Sequence, residues 1–187
     1  MIFVRDKGRM CNNILQYGHV YAWAREHGQR AISMRFAYKY RYFHICHTPW
    51  HNFFVYVLAK FAAKSGLLPV AGFHSSDENS EAMKLLENSK WLVVEGWEVR
   101  FYNLFLKYKH EIISLFTFDK SIATKTAAMM QANSRPTSIK LGIHVRRGDY
   151  KTWQGGKYYY SDEQYADVIK RFASLHNDND VDVYICG

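Results

Sequence analysis

The chain has 187 residues, 48% of them hydrophobic and 22% charged, which excludes a disordered polymer and leaves room for one full core or for one domain plus part of another. No run approaches the roughly 20 apolar residues that span a bilayer, and Ile2-Phe3-Val4 after Met1 is too short for a secretory signal. The net charge of +8 favours anionic partners, whether nucleotide sugars, anionic lipid or nucleic acid, without choosing among them.

Ile2 to Val4 reads as a short buried strand feeding a polar loop, Arg5 to Asn13, with Gly8 as its one glycine. A helix is expected from about Asn13 to His27, with Ile14, Tyr17, Tyr21 and Ala24 at helical spacing and Gly28 as the stop. A strand, a Gly-containing loop and a helix N-terminus together offer free N–H groups to an anion, although this is no dinucleotide fingerprint.

Ala31 to Met34 is the expected second strand. Arg35 to Phe43 then interleaves basic and aromatic residues, a pattern that can hold single-stranded nucleic acid or a sugar but more often packs one face against a core. This segment lies within Tyr21 to Val70, where seven basic residues face the single Glu26. His44, His47 and His51 match no zinc spacing, and a structural or surface role is the reading taken. Trp50 to Ser65 carries Phe53, Phe54, Val57, Leu58, Phe61 and Ala62 on one stripe, expected to cover a sheet rather than lie on a membrane.

Leu67 to Phe73 and Trp91 to Val94 read as strands, His74 to Ser80 as a loop, and Glu81 to Asn88 and Asn103 to Phe116 as helices. Strands alternating with helices predict an α/β sheet. A helix ending near Pro136 marks the expected boundary between residues 1–135 and 136–187. Beyond it, Ile139 to Val145 alternates apolar with polar or small residues, a strand that puts His144 and Arg146 on one face. Gly148 permits a tight turn after it, so two guanidiniums, an imidazole and the Asp149 carboxylate gather at a strand's carboxyl end, where ligands of open α/β sheets bind. Arginine forks match phosphate oxygens. From spacing alone, ordinary surface charges with an Arg–Asp149 pair explain the cluster equally well.

Lys151 to Tyr160 is a Gly- and aromatic-rich loop, and Ser161-Asp162-Glu163-Gln164 has the form of a capping box for a helix bearing Tyr165, Val168, Ile169 and Phe172. Val181 to Cys186 is a second strand, which either opens an incomplete sheet or joins the first one. Cys11, Cys46 and Cys186 form no disulfide pattern, which suits a reducing compartment.

His144-Val145-Arg146-Arg147-Gly148-Asp149-Tyr150 resembles the His-x-Arg-Arg-Gly-Asp signature of bacterial α-1,2-fucosyltransferases, glycosyltransferase family eleven, and of the wider superfamily with α-1,6- and protein O-fucosyltransferases. Gly8-Arg9-Met10-Cys11-Asn12-Asn13 with Gln16-Tyr17 is similar to that family's Gly-Arg-Leu-Gly-Asn-Gln loop, although Cys11 and Asn13 replace its Gly and Gln.

The resemblance implies a two-lobed GT-B enzyme with Rossmann-like domains, using GDP-fucose as donor substrate and a glycan as acceptor, inverting, with no metal or cofactor. It implies Arg146 and Arg147 on the departing diphosphate, His144, Gly148 and Asp149 beside them, and Gly8, Arg9 and Asn12 closing from the first lobe. Arg146 and Asp149 are the catalytic candidates, Asp149 being read more readily as an ion-pair partner than as a base. Residues 136–187 would then be an incomplete donor lobe, and the chain alone is expected to be inactive or weakly binding. A cytoplasmic location is expected, with membrane contact through the basic first lobe and without nucleic acid. The alternatives are a basic nucleic-acid-binding module and a non-catalytic glycan-binding remnant.

Overall fold

A computed structural model describes residues 1–75 and 79–187, so the loop expected over His74–Ser80 lies partly outside the described residues. The chain divides into two compact units, Met1–Ile122 and Ala123–Gly187. Each is taken by itself.

The first unit is mixed α/β. In chain order it runs β1 (Ile2–Arg5), α1 (Met10–Glu26), β2 (Ala31–Ser33), α2 (Phe53–Lys64), β3 (Val70–Gly72), α3 (Asn79–Asn88), β4 (Leu92–Glu95), α4 (Tyr102–Lys107) and α5 (Lys109–Leu115). The strands form one sheet in the order β2-β1-β4-β3, and every neighbouring pair is parallel. Strands covered on both faces read as continuous apolar runs. Accordingly, Ile2 and Val4 enter one core with Tyr17, Val20 and Trp23 of α1 and Ala82 and Leu86 of α3. Phe3, between them, points the other way into a core with Ile32, Val93 and Ala59 of α2.

The distribution of helices follows from connectivity. The steps from β1 to β2 and from β3 to β4 run in one direction across the sheet, whereas β2 to β3 runs back. A single crossover hand therefore puts α1 and α3 on one face and α2 on the other, as the two cores record.

Three expectations need correction here. Helix α1 starts at Met10, so Cys11, Asn12 and Asn13 are its first turn and not loop. The helix expected over Asn103–Phe116 is two pieces broken at Tyr108, and the break lets both bond to α1, through Lys107 Nζ to Glu26 at 2.6 Å and Arg25 Nε to Glu111 at 2.8 Å. Helix α2 packs through Val55, Tyr56, Ala59 and Ala63, while the stripe expected to cover the sheet faces out, with Phe54 and Phe61 71% and 66% exposed.

Arg35–Phe43 is a run of turns whose Phe36 and Phe43 are buried against each other and Phe116, so its rings serve the core. His51 is buried in a structural role: its Nε2 accepts the Ser33 N–H at 3.0 Å and its Nδ1 lies 2.9 Å from Thr48 Oγ1.

In the second unit, α6 (Lys120–Ala132) spans the division, followed by β5 (Ile139–His144), α7 (Asp162–Ser174) and β6 (Val181–Cys186). The division falls inside α6, ahead of the expected boundary at residue 136, and no residue of that helix is buried. Strands β5 and β6 do not join the first sheet. They pair in parallel by themselves, from Ile139↔Val181 to His144↔Cys186. Arg135 pins the start of both, with its Nη2 2.8 Å from Asp182 and its Nη1 2.9 Å from Asp180. The capping box of α7 is formed in both directions between Ser161 and Gln164.

Candidate functional site

The sequence candidates are distributed over both units. In the first, β1 ends into Asp6-Lys7-Gly8, and Gly8 takes φ +90°, a backbone angle that strains any other residue. A side chain there would also meet Asn12 Nδ2 at 2.9 Å and the Trp97 ring at 3.1 Å. Gln16, fully buried, clamps this turn: its Oε1 accepts the Lys7 N–H at 3.2 Å and its Nε2 donates to the Lys7 carbonyl at 2.8 Å. Arg9 caps α1 with extended backbone and an exposed side chain, and Asn12 is half-buried. Asn13 is fully buried, and neither end of its amide finds a hydrogen-bond partner.

In the second unit, β5 delivers His144 and Arg146 to one side, where both line a cavity of about 380 Å3 walled by Tyr150, Trp153, Tyr158 and Tyr165. Strand alternation puts them there. The Arg146 guanidinium lies over the Tyr150 ring, 4.2 Å from its centroid, and its Nη2 reaches Asp149 Oδ1 at 3.4 Å. Its backbone N–H donates to the Tyr165 hydroxyl at 3.2 Å. Its Nε is shut away from solvent and has no hydrogen-bond partner. Arginine carries five donors in a fixed fork, so the protein leaves part of this fork unused while holding the group in place.

Arg147 points elsewhere, and both of its terminal nitrogens are engaged. Nη1 donates to the Tyr160 carbonyl and Nη2 to the Asp162 carboxylate, while the guanidinium sits 5.2 Å and 5.4 Å from the Tyr159 and Tyr165 ring centroids. It lines a different hollow, with Asp162 and Ile169. The adjacent arginines thus divide two tasks: Arg146 faces the cavity, and Arg147 ties the aromatic loop and the start of α7 to the end of β5. Gly148 takes φ +70° at the start of the following turn. Asp149 is half exposed beside Arg146, a position that orients the guanidinium. His144 is exposed at the strand end, 3.8 Å from Cys186 Sγ.

The aromatic wall is a part of the site that the sequence does not single out: its signal is the density of rings between Tyr150 and Tyr165, which by spacing reads as loop and helix core. Fixed cations beside ring faces can hold a phosphate while a sugar's C–H face packs on the rings.

Comparison with known proteins gives a mouse relative, galactoside 2-alpha-L-fucosyltransferase Sec1 of Mus musculus, 27% identical over 169 residues, which covers 83% of this chain and 42% of that protein. The chain therefore spans under half the length of the relative it matches. No family model and no solved structure matches it. The likeness is to a fucosyltransferase.

Proposed function

We propose that this chain supplies the donor-phosphate site of a fucosyltransferase of GT-B architecture, which moves fucose from GDP-fucose to a glycan hydroxyl in α-1,2 linkage with inversion. The observation that carries the reading is Arg146, held against Tyr150 and Asp149 on the wall of an aromatic cavity.

Fucosyl transfer breaks the bond between the anomeric carbon and GDP through an oxocarbenium-like transition state, as in glycoside hydrolysis. Negative charge grows on the β-phosphate as the bond lengthens, and a guanidinium already fixed beside it stabilises the transition state more than the ground state. Arg146 takes that part. The counter-charge then comes from the protein, and turnover needs no divalent cation. His144, on the same side, contacts the diphosphate or the ribose, and Asp149 positions Arg146. In this reading Arg147 acts through the loop it anchors.

Calorimetric titration of GDP tests this. Arg146→Ala is expected to weaken GDP binding by about 10- to 100-fold, since a hydrogen bond to a charged group is worth about 1.5–3 kcal/mol. Arg147→Ala is expected to lower the thermal midpoint of the second unit as well as affinity. Equal GDP affinity in the parent and Arg146→Ala proteins overturns the assignment.

A further inference from the structure

The carboxyl ends of β1 and β2 are the point where the chain departs to opposite faces of the first sheet, to α1 from one strand and to α2 from the other. Such a switch point opens a crevice in parallel sheets. Here it is a cavity of about 200 Å3, lined among others by Arg5, Asp6, Arg35, Tyr38, Tyr56 and Lys60. Arg5 is paired with Glu95 at 3.0 Å. Arg35 donates to the Tyr38 hydroxyl at 2.9 Å, and Lys60 Nζ lies 5.7 Å from the Tyr56 ring centroid. Neither Arg35 nor Lys60 forms an ion pair among the described residues. Asp6 lies buried at the base, accepting from Ser33 Oγ at 2.5 Å and the Arg35 N–H at 3.2 Å. Burial pushes its carboxyl up to about 7, which removes much of the opposing charge at neutrality.

A second observation meets this one. Tyr56 and Lys60 lie one helical turn apart on α2, and the Tyr56 ring is 5.9 Å from that of Phe53, the first residue of the exposed apolar stripe. Phe53, Phe54, Leu58 and Phe61 continue it, and all are more than half exposed. A cationic cleft thus opens beside an uncovered apolar helix face. The two together match an amphiphile with a phosphate head, since a soluble anion would leave the stripe unused.

We propose that the first unit binds a phosphate-bearing lipid, with the headgroup between Arg35 and Lys60 and the apolar chain or bilayer surface against the α2 stripe. The proposal stands apart from fucosyl transfer, because no donor takes part in it.

Co-sedimentation with vesicles tests it. Phosphatidylcholine vesicles containing a minority of phosphatidylglycerol are expected to carry the chain down, and phosphatidylcholine alone to leave it in solution. Lys60→Met is expected to weaken binding about fivefold, and the double change Phe54→Ser with Phe61→Ser by about tenfold or more. Both aromatics are exposed, so the double variant should fold, and an unchanged thermal midpoint checks that. Lys84→Met removes the same charge from α3, on the opposite face of the sheet, and is expected to leave binding unchanged. A loss from Lys84→Met as large as that from Lys60→Met, or parental binding by the serine variant, overturns the proposal. So does glycerol phosphate binding as tightly as the vesicles, which would make the ligand a soluble phosphate ester.

Discussion

The two units are built on the same parallel pairing but differ in what covers it. In the first, the four-stranded sheet has helices on both faces, and Ile2, Val4, Leu92, Val93 and Val94 are all essentially inaccessible. In the second, β5 and β6 pair over six residues, yet no apolar side chain is buried among its described residues, and Ile185 is 67% exposed. Ser138 is the one buried residue there. Since parallel sheets gain stability mainly from burial on both faces, the hydrogen-bond ladders of the two units have unequal support. The Arg146 cavity is therefore held by a less supported frame, in which polar ties matter more than packing. Arg135 to Asp180 and Asp182, Arg147 to Asp162 and the α7 capping box are those ties.

The largest expected effect is a cavity in the first unit. Leu86 is fully buried between α3 and the sheet, and Leu86→Ala should cost about 2–5 kcal/mol of unfolding free energy. Ile185→Ala in β6 removes a mostly exposed side chain and should change stability by about 0.5 kcal/mol or less. Urea denaturation of both variants checks the contrast, which is broken if Ile185→Ala costs as much as Leu86→Ala.

The same contrast accounts for what could be read from the sequence. Strands β1, β5 and β6, the two-way cap of α7 and the shared side of His144 and Arg146 are local patterns, and each was legible. The start of α1 was not, because Arg9 provides no side-chain cap and therefore no signal. For α2, apolar residues occur on two stripes, and periodicity alone favoured the larger one. The small side chains Ala59 and Ala63 are what let the helix approach the sheet, so the bulky stripe was left outside. The aromatic wall around Arg146 depends on where Tyr158 and Tyr165 return to the end of β5, a long-range matter that spacing does not encode.

A smaller effect should appear as pH dependence in the first unit. Burial raises the Asp6 carboxyl from 3.8 to about 7, so between those values the folded state keeps a proton that the unfolded chain has lost, and stability falls as pH rises. Burial lowers His19 and His51 from 6.5 to about 4, with the opposite consequence: between those values the unfolded chain holds the extra protons, and stability rises with pH. The two trends offset each other in the parent. Asp6→Asn keeps an acceptor for the Arg35 N–H while removing the titration, so urea midpoints should climb more steeply with pH across the acid range than in the parent. An unchanged slope would show that Asp6 does not titrate there.

The smallest expected effect tests the separation of the units most directly. Ser161 Oγ accepts the Gln164 N–H at 3.3 Å, and Gln164 Oε1 accepts the Ser161 N–H at 2.8 Å, so Ser161→Ala leaves a first-turn donor of α7 without its partner. Loss of such a cap typically costs about 1 kcal/mol. In a unit with little apolar burial that loss has few contacts to absorb it, and amide exchange should quicken by about fivefold through α7, β5 and β6, if their amides exchange by opening of the unit as a whole. Amides of β1 and β4 should exchange at the parent rate, because their protection comes from cores to which α7 contributes no residue. Faster exchange in β1 would mean that the two units open together, and the contrast in burial would then not translate into a contrast in stability.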